Sequence, residues 1–173
     1  FRAVRRALGK LPLVAEDLGV LTPEVEALRD NLGLPGMRVL HFSFGTDPPA
    51  KKTHPFAFPE RAVVFTGTHD NATTRGWFDA LSVAAAADPA ARQQLDFVRS
   101  YLGTDGSEIH WDLIRLALSG APRLAIVPVQ DLLGLGSSYR MNIPGTEAGN
   151  WRFRATDEQL NAIDVGRLRP GRV

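Results

Sequence analysis

The amino-acid sequence predicts an α/β protein built around parallel strands. Short runs of β-forming apolar residues alternate with longer segments of helical periodicity, which is the element order of strand–helix–strand folds. Two of these runs end abruptly in ionisable residues: the run at 63–65 is followed by His69 and Asp70, and the run at 13–15 by an adjacent glutamate and aspartate. Parallel-strand enzymes place their chemistry where the strands end. The two segments therefore predict one shared cleft.

Four strands and six helices are predicted along the chain. The strands cover residues 13–15, 39–42, 63–65 and 124–127. Each helix is recognised by its apolar spacing and by the capping residues, proline or glycine at its ends. The first predicted helix ends at Gly9, the second runs from Thr22 to Gly33, and the third covers 74–87. The fourth runs from Asp88 to Gly103, and the fifth contains Ile109 to Leu116 and ends before Gly120. The sixth begins at Thr156, whose spacing from Gln159 is that of a capping box.

Two architectures fit this element order. Four strand–helix units make half of a (β/α)8 barrel, which typically needs about 250 residues. The alternative is a complete four-stranded doubly wound domain, for which 173 residues are enough. Composition and element order do not choose between them.

The composition excludes several classes of function. Lysine plus arginine number 20 and aspartate plus glutamate 19, so no excess charge favours nucleic acid or an anionic membrane as a partner. The chain has no cysteine, which excludes a disulfide framework and a thiolate metal site. No apolar run approaches the roughly 20 residues of a membrane span, and no signal peptide is recognisable. These features predict a cytoplasmic, soluble protein.

The acidic residues at the strand ends suit glycoside chemistry. Glu16 and Asp17 are neighbours on a strand, so their side chains point in opposite directions and only one faces the cleft. Asp70 arrives from another strand end. One such carboxyl could protonate a leaving oxygen, and another could attack the anomeric carbon or stabilise its developing positive charge.

Plainer interpretations of the same residues stay open. A Glu-Asp pair also occurs at solvated strand ends and helix caps, and a His-Asp pair in ordinary loop hydrogen bonds. The four histidines, at positions 41, 54, 69 and 110, lack metal-ligand spacing. A serine hydrolase would need a Gly-x-Ser-x-Gly elbow, which the sequence lacks.

Five sequence blocks carry a more specific signal. They are VAEDLGVLTPEV at 14–25, LPGM at 34–37, TGTHDN at 66–71 followed by Thr73-Thr74, RMNIPG at 140–145 and GNW at 149–151. In content and order the blocks resemble the signatures of the 4-α-glucanotransferases, also called amylomaltases or disproportionating enzymes. They span most of the chain and are far more specific together than singly.

The resemblance implies a fold and an activity. The fold would be a (β/α)8 barrel of the α-amylase-like glycosidase superfamily, with residues 1–173 as the C-terminal portion of its single catalytic barrel. The activity would be retaining transfer of α-1,4-glucan segments between maltooligosaccharides, with no metal or organic cofactor. The implied site residues are Glu16 as general acid/base, Asp70 as transition-state stabiliser, His69 as a hydrogen-bond partner of the sugar in subsite −1, Asp17 and Asn142 as further sugar contacts, and Asn71 and Gln130 as weaker candidates.

The chain departs from the family pattern in one large respect. The family's nucleophilic aspartate lies in an Arg-Ile-Asp-His-Phe type motif on the preceding strand, and this chain has no such motif. The remainder of the same enzyme is therefore expected as its partner. There are smaller departures as well. Gly45 stands where relatives tend to have an aspartate, and this chain has its aspartate two residues later, at Asp47. His41 and Phe58 also differ from the residues that the family pattern has at these positions.

A second function remains open from the sequence. Without the nucleophile, the chain could be a non-catalytic glucan-binding or assembly fragment that holds oligosaccharides through Trp77, Trp151 and the acids. Glu16 favours the enzyme, because a binding module has no need for an acid at that strand end.

Overall fold

The computed structural model describes residues 1–9, 12–45 and 54–168. Asp47, one of the departures from the family pattern, lies outside this part of the chain. The α-helices of the described residues are Arg2–Leu8 (α1), Pro23–Leu32 (α2), Thr74–Ala84 (α3), Pro89–Leu102 (α4), Ile109–Ser119 (α5), Val129–Leu132 (α6) and Asp157–Asn161 (α7). The strands are Gly36–Val39 (β1), Ala62–Phe65 (β2) and Leu124–Ile126 (β3). The prediction of an α/β fold with a parallel sheet is confirmed.

The sheet has the order β1-β2-β3, and both neighbouring pairs are parallel. Met37 pairs with Val63, which pairs in turn with Leu124. The strands therefore end at the same edge, where the residues that follow them come together.

The strand predicted at 13–15 is wrong. This segment makes a single parallel bridge, between Ala15 and Gly36, supported by a 2.8 Å bond from the Ala15 amide to the Pro35 carbonyl. Extending the ladder backwards would require the N–H of residue 35 to donate to the carbonyl of residue 13. Residue 35 is proline and has no N–H, so the ladder stops.

The strand predicted at 39–42 lies three residues too late. β1 ends at Val39, and Leu40–Phe42 form a turn of 3₁₀ helix. The Ser43 hydroxyl donates to the Val39 carbonyl at 3.2 Å, and its amide donates to the Leu40 carbonyl at 2.9 Å. These local bonds use backbone acceptors that a continued strand would need.

The helix ends follow the predicted capping residues closely. Thr73 and Asp88 accept backbone N–H bonds at the starts of α3 and α4, and both bonds of the Thr156 capping box are present. The helix predicted at 74–87 ends at Ala84, three residues early. No helix in the described ranges combines the length and apolarity that crossing a bilayer requires.

The core lies between the sheet and the helices α3, α4 and α5. Val64 on the central strand packs with Leu40, Phe44 and apolar side chains of these helices. The opposite face of the edge strand is open, because Leu124 is 51% exposed and Ile126 43%. One face of the sheet is therefore covered by helices, and the other face is accessible at β3, whereas Val63 on the central strand is buried.

Candidate active site

A cleft of about 1400 Å³ lies at the edge where the strands end. Its walls come from the residues after the Ala15 bridge, after β1, after β2 and after β3, and they include Glu16, Phe42, His69, Asp70 and Pro128. Glu16 and Asp70 therefore line the same cleft from different segments, as the sequence predicts.

Glu16 and Asp17 both line the cleft, which the sequence predicts of only one of them, but they differ in exposure. Glu16 is exposed in the cleft, whereas the Asp17 side chain is only 4% exposed. The Asp17 carboxylate accepts from the Met37 amide at 2.5 Å and pairs with Arg29 at 2.5 Å and Arg38 at 3.1 Å. Asp17 thus ties α2 and β1 to the segment that carries Glu16. Its contact with sugar stays a prediction.

Two neighbours make this arrangement around Asp17 compact. A Cβ at Gly36 would lie 2.2 Å from Asp17 Oδ2, so only glycine fits there without a shift of the carboxylate. Hydrogen bonds to Asp30 and Asp17 raise the pKa of Arg29 above its ordinary value, which keeps it a permanent cation.

The segment 140–142 holds Asp70 in place. Asn142 Nδ2 donates to Asp70 Oδ1 at 2.6 Å, and the Asn142 amide donates to the His69 carbonyl at 3.1 Å. The Arg140 guanidinium donates to the Asp70 carbonyl at 2.5 Å and to the Asn142 carbonyl at 2.6 Å. Asp70 remains 49% exposed. The carboxylate is therefore oriented by protein groups but open to a ligand.

His69 lies beside Asp70 and against an aromatic ring. Its Nε2 is 3.3 Å from Asp70 Oδ1, and its ring centroid lies 5.0 Å from that of Trp151. Trp151 has φ 61°, a left-handed conformation that is strained for a bulky residue, and its amide donates to the Met141 carbonyl at 2.7 Å. Both rings are exposed, with their planes 38° apart, and each offers an apolar face on which a sugar ring can stack.

The side chains of Asn71 and Gln130 form hydrogen bonds within the walls of the site. Asn71 Oδ1 accepts from the amide and hydroxyl of Thr68 at 2.8 and 2.7 Å, which closes the turn that contains His69 and Asp70. Gln130 is buried, and its Nε2 donates to the Tyr139 carbonyl at 3.3 Å. Both line a second cavity of about 180 Å³ behind His69. Their contacts with substrate stay predictions.

Sequence reasoning missed two residues that shape this site. Arg140 was part of a recognised block without an assigned role, and its bond to Asp70 spans 70 positions in the sequence. Asp131 is buried at 2% exposure beneath the loop that carries His69 and Asp70. Burial raises the pKa of the Asp131 carboxyl, against the hydrogen bonds of Thr66 and Thr74, which lower it. A carboxylate shortly after the predicted strand 124–127 was the available signal for Asp131.

His41 lies under the same loop, buried at 5% exposure. Its ring stacks on Trp77 with centroids 4.9 Å apart, and its Nε2 is 3.1 Å from Thr74 Oγ1. Burial lowers the pKa of His41 from 6.5 to about 3. The imidazole is therefore neutral at physiological pH.

This burial predicts an acid-sensitive fold. The pKa of His41 is depressed in the folded state, so its contribution to stability is complete above pH 6.5 and is lost as the pH falls towards 3. In that window the unfolded chain binds one proton more, which costs about 1.4 kcal/mol of stability per pH unit. Unfolding free energies measured at several pH values should show that His41→Gln removes this component of the slope. Equal slopes in the wild type and His41→Gln would contradict the prediction.

Comparison with known proteins identifies the relatives of this chain. A family model described as 4-alpha-glucanotransferase, glycoside hydrolase family 77, matches residues 1–160. The 4-alpha-glucanotransferase of Synechocystis sp. is 54% identical over 97% of this chain, and that of Thermus thermophilus is 43% identical over 98%. These matches cover 32% and 33% of the two relatives. The chain therefore spans about a third of their length.

Solved structures agree with these relatives. An amylomaltase from Streptococcus agalactiae in complex with acarbose superposes with a TM-score of 0.80 and 31% identity. That superposition covers 92% of this chain and 30% of the amylomaltase. The chain belongs to the 4-alpha-glucanotransferase family, glycoside hydrolase family 77.

Proposed function

We propose that this chain is the acid/base-bearing part of a 4-α-glucanotransferase, which transfers α-1,4-glucan segments between maltooligosaccharides with retention. The observation that carries the proposal is the convergence of Glu16 and Asp70 on one large cleft, in a chain of this family. Carboxyl groups on separate segments around a sugar-sized cleft are the arrangement that glycoside transfer needs.

In this proposal Glu16 works as general acid and then as general base. It protonates the glycosidic oxygen as the donor bond breaks, and later takes the proton from the 4-hydroxyl of the incoming glucan. Its exposed position in the cleft leaves room for both sugars. Burying neighbouring Asp17 among two arginines fixes the backbone from which Glu16 extends.

Asp70 stabilises the oxocarbenium-like transition state. Asn142 holds one oxygen of its carboxylate, so the negative charge is oriented before the sugar arrives. His69 and Trp151 offer the hydrogen bond and the stacking surface for the same ring. By this placement we expect acarbose, present in the Streptococcus agalactiae amylomaltase, to bind in the cleft between Glu16 and Asp70.

The nucleophile comes, in this proposal, from the remainder of the same enzyme, which completes a (β/α)8 barrel. Two features support it: the relatives are about three times as long, and one sheet face presents exposed Leu124 and Ile126. An apolar face of this kind is what further barrel strands would cover. Plant relatives carry chloroplastic or amyloplastic in their names, so a cytoplasmic location stays a prediction from sequence alone.

The proposal is tested in a full-length enzyme that contains this chain. In this enzyme, which we call the assembled enzyme, the present chain replaces the matching third of the Synechocystis relative. Given maltotriose, it should release glucose and form longer maltooligosaccharides, as chromatography of the products would show. Oligosaccharide binding without transfer, in a folded protein, would favour the glucan-binding alternative. The unmodified relative serves as the positive control.

A further inference from the structure

Asp131 carries a buried carboxylate. It follows β3 on the short helix α6 and is 2% exposed. Among the residues that the structure describes, no lysine or arginine forms a salt bridge with it. A buried charge with neutral partners alone is costly to the fold. Asp131 is therefore a candidate for a role beyond packing.

Its hydrogen bonds join the two ends of one loop. Oδ2 accepts from the Thr66 hydroxyl at 2.5 Å and from the Thr74 hydroxyl at 2.9 Å, and Oδ1 accepts from the Thr74 amide at 2.7 Å. Thr66 directly follows β2, and Thr74 is the first residue of α3. The segment between them, 67–73, carries His69 and Asp70. One carboxylate thus fixes both ends of the loop that presents them.

The buried His41 makes a second set of contacts with the same loop. Because the Thr74 hydroxyl donates its proton to Asp131, it accepts from His41 Nε2, 3.1 Å away. The His41 ring in turn lies against Gly67, where a Cβ would be 2.8 Å from His41 Cε1. The loop is therefore held at its ends by Asp131 and from below by the His41 ring.

We propose that Asp131 is a positioning residue for Asp70. It lies beneath the loop and acts on the reaction through Thr66 and Thr74, by setting where the loop holds the Asp70 carboxylate. The inference rests on the proposed function, in which Asp70 stabilises the transition state. A misplacement of about 1 Å in such a group costs about 100-fold in rate. Substrate binding, which the whole cleft provides, depends on it less.

The test compares Asp131→Asn with a matched control, Asp112→Asn. Asp112 is also buried, at 7% exposure, and its carboxylate accepts from the Thr104 hydroxyl at 2.5 Å and pairs with Arg115. It lies on α5, outside the residues that line the cleft. In the assembled enzyme, Asp131→Asn should lower kcat about 10- to 100-fold with KM changed less than about 2-fold. Asp112→Asn should leave kcat within about 2-fold, even where it lowers the melting temperature equally.

A double-mutant cycle shows whether the effect passes through Asp70. Adding Asp131→Asn to Asp70→Asn should lower kcat little further, because the group it positions is already disabled. Multiplying losses would overturn the proposal. So would a kcat of Asp131→Asn within about 2-fold of wild type. Where Asp131→Asn does not fold, Thr66→Val and Thr66→Ser replace it: valine should lower kcat, and serine, which keeps the hydroxyl, should restore it. Equal kcat values for the two would refute the inference.

Hydrogen exchange separates this inference from the proposed function. Amides at 67–73 should exchange faster in Asp131→Asn than in wild type, and their exchange rates should be unchanged in Asp112→Asn. This readout needs no glucan transfer. Unchanged exchange at 67–73 in Asp131→Asn would refute the positioning role, even in an active enzyme. Faster exchange in an enzyme that never transfers glucan would refute the proposed function, but it would still support the role of Asp131 in holding the loop.

Discussion

Replacing Glu16 with glutamine should lower the rate of transfer between maltooligosaccharides about 10²- to 10⁴-fold in the assembled enzyme. The amide keeps the shape of the side chain in the cleft and removes only the proton that the leaving oxygen needs. Oligosaccharide binding should therefore change little, as calorimetry with maltotriose on the variant would show. Glu26, which also lines the cleft, provides the matched control, and Glu26→Gln should leave the rate within about 2-fold.

The choice of substrate isolates the step that Glu16 performs. The fluoride ion of a maltosyl fluoride leaves without protonation as the maltosyl group bonds to the nucleophile, so formation of the glycosyl-enzyme should recover in Glu16→Gln while transfer to the acceptor stays slow. A burst of fluoride followed by slow turnover is the expected trace. Near-normal transfer between natural maltooligosaccharides in this variant would remove Glu16 from the acid/base role.

The sequence predicts the central strand and the helices well because their signals are local. An unbroken apolar run specifies β2, and a Thr or Asp cap next to an apolar stripe specifies the start of α3, α4 or α7. The first predicted strand fails for a reason that local pattern does not contain. Whether 13–15 pairs depends on the N–H of residue 35, which is proline, and that pairing is known only once the two segments are adjacent.

The same distinction divides the site. Glu16 and Asp70 could be placed at the cleft because each follows an apolar run, Glu16 directly and Asp70 within the five residues after Phe65. The groups that hold them could not, since the Thr66–Asp131 and Arg140–Asp70 contacts join residues 65 and 70 positions apart. The role of Asp17 was also visible only in three dimensions, because its salt-bridge partners lie on α2 and β1.

Replacing Asp70 with asparagine should lower kcat about 10²- to 10³-fold, with a smaller change in KM. An asparagine keeps an oxygen that accepts from Asn142 Nδ2, so the side chain stays oriented and only its charge is lost. That charge matters most when the sugar becomes cationic, which is why kcat carries the effect. Steady-state kinetics with maltotriose measure both constants.

Asn142→Ala makes the complementary change, because it leaves the charge on Asp70 but removes the 2.6 Å bond that orients it. We expect kcat to fall about 10-fold, because the carboxylate still attracts the cationic sugar but is no longer held in the orientation that this attraction needs. Charge and orientation are thus separated by two variants of one contact. A larger loss in Asn142→Ala than in Asp70→Asn would mean that Asn142 itself contacts the sugar and that the Asp70 charge is secondary. A kcat of Asp70→Asn within about 3-fold of wild type would exclude Asp70 as the transition-state stabiliser, because removing a single preorganised group of this kind costs about 100-fold or more.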